Sequence, residues 1–194
     1  MWSRKSLHLT CFLAVICLGA FSLTSCGPTV DTRNKMLVSV ADQRMLLLRD
    51  DKPIRRYDVS TSKFGLGDRK GSNRTPLGRM QVAKKIGAGA KPGAVFKSRR
   101  LTGEVIKPNA PGRDPIVSRI LWLRGLESYN RNTFRRFIYI HGTPEERRIG
   151  EPASYGCIRM RSKDVIDLYQ RVGEGAEVNV IAGPLPDYRT SRRR

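Results

Sequence analysis

Short runs of alternating apolar and polar residues fill most of the chain. Lys35 to Val40 and Met45 to Arg49 are β-prone and separated by Ala41-Asp42-Gln43-Arg44, a spacing that predicts a hairpin. Asp50-Asp51-Lys52-Pro53 reads as a turn, and Ile54 to Ser60 alternates enough for a third strand. Leu77 to Ile86 predicts another, with Met80 and Val82 on one side. Ile116 to Leu123, Phe137 to Ile140 and Glu177 to Ile181 are further strands. One segment carries the helical period: Val165, Leu168, Tyr169 and Val172 share a face. Ser162 suits its N-cap, Asp164 its first turn and Gly173 its stop. Many strands and one confident helix predict a mainly β, sandwich- or barrel-like domain with one principal α-helix near the C-terminus.

Two stretches lack a period. Phe64 to Pro76 is rich in Gly, Asp, Asn and Lys and reads as an exposed loop. Gly87 to Pro115 holds several glycines and prolines around Ala94-Val95-Phe96 and Glu104-Val105-Ile106. Its GAGAKPG run has the wrong glycine spacing and no strand–helix setting for a dinucleotide fingerprint, so it reads as a flexible loop.

The ends change the picture. Arg4 and Lys5 precede an apolar run from Leu7 to Phe21, which is shorter than the roughly 20 residues of a membrane span and fits a signal peptide. Leu23-Thr24-Ser25-Cys26 resembles the lipobox of bacterial lipoproteins, which implies cleavage before Cys26 and lipidation of its thiol. The expected organisation is a signal peptide over 1–25, a lipid-anchored tether over 26–34, a catalytic domain over 35–183 and a basic, disordered tail over 184–194. The 194 residues carry a formal charge of +20. Loss of residues 1–25 removes Arg4 and Lys5 and no acid, leaving about +18. Such a charge favours an anionic partner without choosing one. Aromatic residues make up 7% and none interleave with Lys/Arg runs, which speaks against a single-strand nucleic-acid reader.

Cleavage and lipidation sharpen the cysteine count. Of four cysteines, Cys11 and Cys17 leave with the signal and Cys26 takes lipid, so Cys157 is the one thiol left. In an oxidising compartment such a thiol is either buried and inert or kept for chemistry. His8 also leaves, so His141 is the one imidazole of the mature chain. The two sit at the ends of one strand–loop unit, Phe137 to Met160, each beside a glycine. A thiol nucleophile needs a base within reach and backbone N–H groups for the oxyanion. One histidine and one free cysteine make a zinc site a poor fit. No G-x-S-x-G is present.

His141-Gly142-Thr143 followed by Ser154-x-Gly156-Cys157-Ile158-Arg159 resembles the L,D-transpeptidase catalytic domain, also called YkuD-like. The likeness extends through Thr75-Pro76-Leu77-Gly78 and Val95-Phe96-Lys97-Ser98-Arg99, and covers about Lys35 to Ile181. It implies a mainly β fold with cysteine and histidine facing one cleft. It implies Cys157 as nucleophile and His141 as base, with the Gly142 carbonyl fixing the imidazole tautomer. The N–H groups of Tyr155, Gly156 and Cys157 are the implied oxyanion donors, and Ser154 and Arg159 the implied substrate-side residues. Many members have histidine where this chain has Tyr155.

The resemblance implies a lipid-anchored peptidoglycan enzyme that needs no metal or cofactor. It would acylate itself at the third residue of a tetrapeptide stem, release D-alanine and pass the acyl group to an amine on another stem or on an acceptor protein. The alternatives are an L,D-carboxypeptidase on the same scaffold and a non-catalytic basic module that binds wall polymer. Expected partners are stem peptides and a membrane, and no nucleic acid. The expected location is the periplasm or wall-facing side of a membrane. Gly27 in place of an acidic residue after Cys26 leans toward the outer membrane.

Overall fold

The computed structural model describes residues 29–187. The expected signal peptide, Cys26 and residues 188–194 of the expected tail lie outside the described residues.

Ten strands and one α-helix form the described chain. The strands are β1 (Asn34–Ser39), β2 (Arg44–Arg49), β3 (Lys52–Asp58), β4 (Gly78–Ile86), β5 (Ala94–Lys97), β6 (Arg100–Val105), β7 (Ile116–Gly125), β8 (Tyr139–Gly142), β9 (Ile158–Met160) and β10 (Glu177–Ile181). The helix α1 (Ser162–Arg171) follows β9. The fold is mainly β with its one α-helix near the C-terminus, as the alternation predicts. The strands make one open mixed sheet in the order β3-β2-β1-β10-β4-β7-β5-β6, and β8 branches from β7 to carry β9. The β1–β10 and β8–β9 pairs are parallel.

Strand β7 divides two apolar clusters because successive side chains on a strand face opposite ways. Leu121 and Leu123 enter the main core, with Met36, Val38, Met80, Val82, Val178 and Val180. Ile120 and Trp122 face the other side and join Phe96 and Tyr139 in a smaller cluster. Helix α1 closes the main core with Val165 and Leu168, each fully buried. Burial of each such side chain contributes about 1.5–3 kcal/mol.

The structure corrects several local expectations. Gly87 to Pro115 is not one flexible loop: it contains the β5–β6 hairpin, and β5 pairs with the start of β7. Ser98 and Arg99 both take positive φ, 50° and 68°, in the turn, which a propensity reading assigns to glycine. The Phe64–Pro76 loop is not wholly exposed. Asp68 and Thr75 are buried in it, because Asp68 pairs with buried Arg136 and accepts from the Asn132 N–H. Strand β8 begins at Tyr139, since Phe137 turns the chain at φ 58°. Ser162 is the first helical residue and Arg161 the N-cap; the Ser162 N–H donates to Glu146 Oε1 at 2.8 Å. Val172 ends the helix in an extended conformation, and the Gly173 N–H donates to Asp31 at 2.6 Å. Asp31, within the expected tether, is therefore docked on the helix end.

Candidate active site

Parallel strands β8 and β9 and the turn that leads into β9 place His141, Cys157 and Arg159. Their register sets Ile140 beside Ile158, His141 beside Arg159 and Gly142 beside Met160. Ile138, Ile140, Ile158 and Met160 enter the main core. The alternate residues Tyr139, His141, Cys157 and Arg159 therefore share the opposite face. Gly142 is needed by close packing: a Cβ there would lie 2.6 Å from the Val117 carbonyl and 3.2 Å from Val165. A larger residue would push β8 off β7 and displace His141.

Cys157 is half-buried against the smaller cluster. Its sulfur accepts the Tyr139 N–H at 3.4 Å, and its thiol points to the Phe137 carbonyl at 3.5 Å. Burial pushes the thiol up to about 11, against the Tyr139 N–H and the charges of Arg136 and Arg159, which pull it down. Burial therefore favours the neutral thiol over the thiolate.

His141 is 6% exposed, and its Nδ1 lies 2.8 Å from the Gly142 carbonyl. A carbonyl only accepts, so Nδ1 carries the proton and Nε2 keeps a free lone pair. Burial pulls the imidazole below its ordinary range. The Gly142 carbonyl and Asp114 oppose that shift, and Arg159 reinforces it. No hydrogen bond joins the thiol to the imidazole in this structure. Sites without substrate often hold such contacts long.

The turn before Cys157 is braced from within. The Ser154 hydroxyl donates to the Cys157 carbonyl at 2.6 Å and accepts the Gly156 N–H at 3.2 Å. Ser154 is 1% exposed, and its hydroxyl proton is spent inside the turn. Gly156 takes φ 117°, a conformation that side chains disfavour, and its carbonyl accepts the Thr75 hydroxyl at 3.1 Å. The N–H groups of Tyr155 and Cys157 make no hydrogen bond among the described residues. The Tyr155 side chain is exposed; its hydroxyl accepts from Lys63 Nζ at 3.1 Å, and its ring lies 5.4 Å from Phe64.

Arg159 is buried rather than open to the cleft. Its Nη1 contacts Asp114 closely and Glu145 at 3.4 Å, while Nε and Nη2 are buried without a partner. Asp114 also accepts the Thr143 hydroxyl, and Thr143 accepts the Glu145 N–H. Sequence reasoning missed Asp114, and also Asp68 and Arg136. Asp114 lies in a Pro/Gly-rich stretch, and only the fold brings it beside His141. Arg136 sits in a run of arginines that reads as solvated surface, yet Asp68 and the Gly67 and Arg74 carbonyls hold it. Among the described residues, no three His, Cys, Asp or Glu side chains converge to hold a metal ion.

The family model of the YkuD L,D-transpeptidase catalytic domain matches residues 33–180. An L,D-transpeptidase from Mycobacterium smegmatis superposes with TM-score 0.50 at 17% identity, covering 77% of this chain and 59% of that one. The Ldtfm–avibactam carbamoyl enzyme superposes with TM-score 0.51 at 18% identity, covering 78% and 50%. An L,D-transpeptidase from Enterococcus faecium gives TM-score 0.49 at 18% identity, covering 77% and 50%. At these identities the likeness concerns the fold. The chain spans 50–59% of the length of these solved structures. No curated protein matches the chain.

Proposed function

The chain belongs to the YkuD family of L,D-transpeptidase catalytic domains, and from that membership we propose that it is a peptidoglycan L,D-transpeptidase with Cys157 as its nucleophile. The observation that carries the reading is the common face of β8 and β9. It gathers Cys157 and His141, the latter with its tautomer set by the Gly142 carbonyl.

A neutral thiol and a neutral imidazole favour proton transfer during attack over a preformed thiolate–imidazolium pair. His141 Nε2 takes the thiol proton as Sγ attacks the carbonyl after the third stem residue. The oxyanion meets the N–H groups of Tyr155 and Cys157, and the Gly156 N–H joins them if Ser154 releases it. The C–N bond to D-alanine breaks, and His141 returns the proton to the departing amine. An acceptor amine then attacks the thioester, its proton passes through His141 to the sulfur, and the thiol is restored. Water as acceptor gives the carboxypeptidase outcome. Arg159 supports the cleft from beneath, paired with Asp114.

The reading includes export and lipidation at Cys26, which would tether the domain at a wall-facing membrane beside its anionic substrate. The test is acylation by a carbapenem, a strained acyl donor. Intact-protein mass spectrometry should show one adduct, mapped to Cys157. No adduct where an authentic family enzyme reacts would contradict the proposal.

A further inference from the structure

We propose that Arg99 is a specificity-determining residue whose guanidinium receives a carboxylate of the acyl donor beside Cys157. This rests on the reading of Cys157 as the acylated residue and names the group that the cleft recognises.

Arg99 has a fixed position. It sits in the β5–β6 turn at φ 68°, the second residue of a two-residue hairpin loop. From that turn the side chain reaches the aromatic surface on the far side of β7. Its Cζ lies 5.0 Å from the ring centroids of both Trp122 and Phe137, and its Nη1 donates to the Tyr139 hydroxyl at 3.4 Å. Trp122 is itself fixed, stacked on Phe134 at 4.1 Å and edge-on to Tyr139. The backbones of Phe137 and Tyr139 are the same ones that hold the Cys157 sulfur.

Charge pairing separates Arg99 from the two buried arginines of the site: Arg136 and Arg159 each face a carboxylate. Arg99 has none within ion-pair distance among the described residues, and it donates to the Tyr139 phenol. A guanidinium stacked on aromatic faces keeps its remaining N–H fork in a fixed direction. Such a fork matches a carboxylate in bidentate fashion, and prior orientation lowers the entropy cost of binding.

The test compares two thiol reagents of nearly one shape, neutral iodoacetamide and anionic iodoacetate, with alkylation of Cys157 followed by peptide mass spectrometry on the full chain. Arg99→Ala should lower the iodoacetate-to-iodoacetamide rate ratio about tenfold, the scale of losing one charge-assisted contact. It should leave the iodoacetamide rate within about twofold, since the Cys157 hydrogen bonds do not use Arg99. Arg99→Lys should fall between, and Arg100→Ala, which removes the adjacent charge, should match wild type. A ratio unchanged in Arg99→Ala, or lowered as much by Arg100→Ala, overturns the proposal. Loss of both rates together also overturns it, because Arg99 would then support the thiol. An unreactive wild-type Cys157 fails the transpeptidase reading itself, whereas a reactive Cys157 indifferent to Arg99 fails this proposal alone. Stem tetrapeptides with free and amidated C-termini then identify the carboxylate. A KM rise in Arg99→Ala confined to the free acid assigns the C-terminal group, and an equal rise for both assigns the third residue. No rise for either contradicts the proposal.

Discussion

The backbone N–H of Tyr139 donates to the sulfur of Cys157 across 3.4 Å. Tyr139 lies two positions before His141 on β8, so one short strand supplies both the amide that holds the Cys157 sulfur and the imidazole proposed to deprotonate it. The thiol starts neutral because burial outweighs that single amide and the nearby arginine charges. In the proposed reaction its proton leaves during attack, and the base matters most at that moment.

Replacement of His141 by alanine should slow carbapenem acylation on the order of a hundredfold or more, the usual scale for a lost general base. Burial lowers the imidazole's affinity for protons, so the acid limb of the wild-type rate should fall below the ordinary histidine midpoint of about 6.5. The same burial sets a stability trend. The unfolded chain binds a proton at His141 before the folded chain does, so this residue penalises the fold as pH falls through about 6.5 toward the depressed folded value. His141→Gln should therefore lose less Tm than wild type between pH 7 and pH 5, as read by thermal denaturation. An equal loss would mean that His141 is not held neutral by burial.

The Asp114–Arg159 pair predicts non-additive mutations. Asp114→Asn leaves the buried guanidinium without its main counter-charge. The stability loss should be on the order of 2 kcal/mol, less than the roughly 3–5 of a fully buried pair, because Asp114 keeps part of its surface. Acylation should also slow, since Asp114 raises and Arg159 lowers the basicity of His141. Adding Arg159→Met should restore part of the stability, measured by urea denaturation. Additive losses in the double variant would show that the pair is not coupled.

Tyr155 stands where many family members carry histidine. Its side chain is exposed and its hydroxyl is engaged by Lys63, so the N–H of the residue matters more than the ring. Tyr155→Phe should keep carbapenem acylation within a few-fold of wild type, far above the loss expected for a missing general base. A loss as large as that of His141→Ala would show that the phenol takes part directly.

Much of the fold can be read from alternation alone. β1, β4, β10 and α1 carry their buried faces as plain period-two or helical patterns, whereas β2 and β7 are continuous apolar runs buried on both faces. The strand-and-turn unit from Phe137 to Met160 is legible for the same reason: Ile138, Ile140, Ile158 and Met160 mark one face and leave Cys157 and His141 on the other. What escaped the sequence depends on turns and long-range pairing. The β5–β6 hairpin hides because Ser98-Arg99 takes a conformation that neither residue advertises. Asp114, Asp68, Arg136 and Arg99 act through partners distant in sequence, and a charged residue in a loop looks the same whether solvent or a buried guanidinium awaits it. Ser162 misled by composition: it suits a cap, but the Glu146 carboxylate already serves the helix start.

Transfer of an acyl group by Cys157 from one stem peptide to another amine can be followed on muropeptides. Purified protein incubated with tetrapeptide-stem muropeptides should release D-alanine and form dimers joined between third residues, resolved by chromatography and mass spectrometry. Cys157→Ala, with its fold checked by circular dichroism, should give neither product. Tripeptides without dimers would indicate hydrolysis, and an unchanged profile beside tight polymer binding would indicate a binding module. Dimers formed by the Cys157→Ala protein would show that Cys157 does not carry the acyl group.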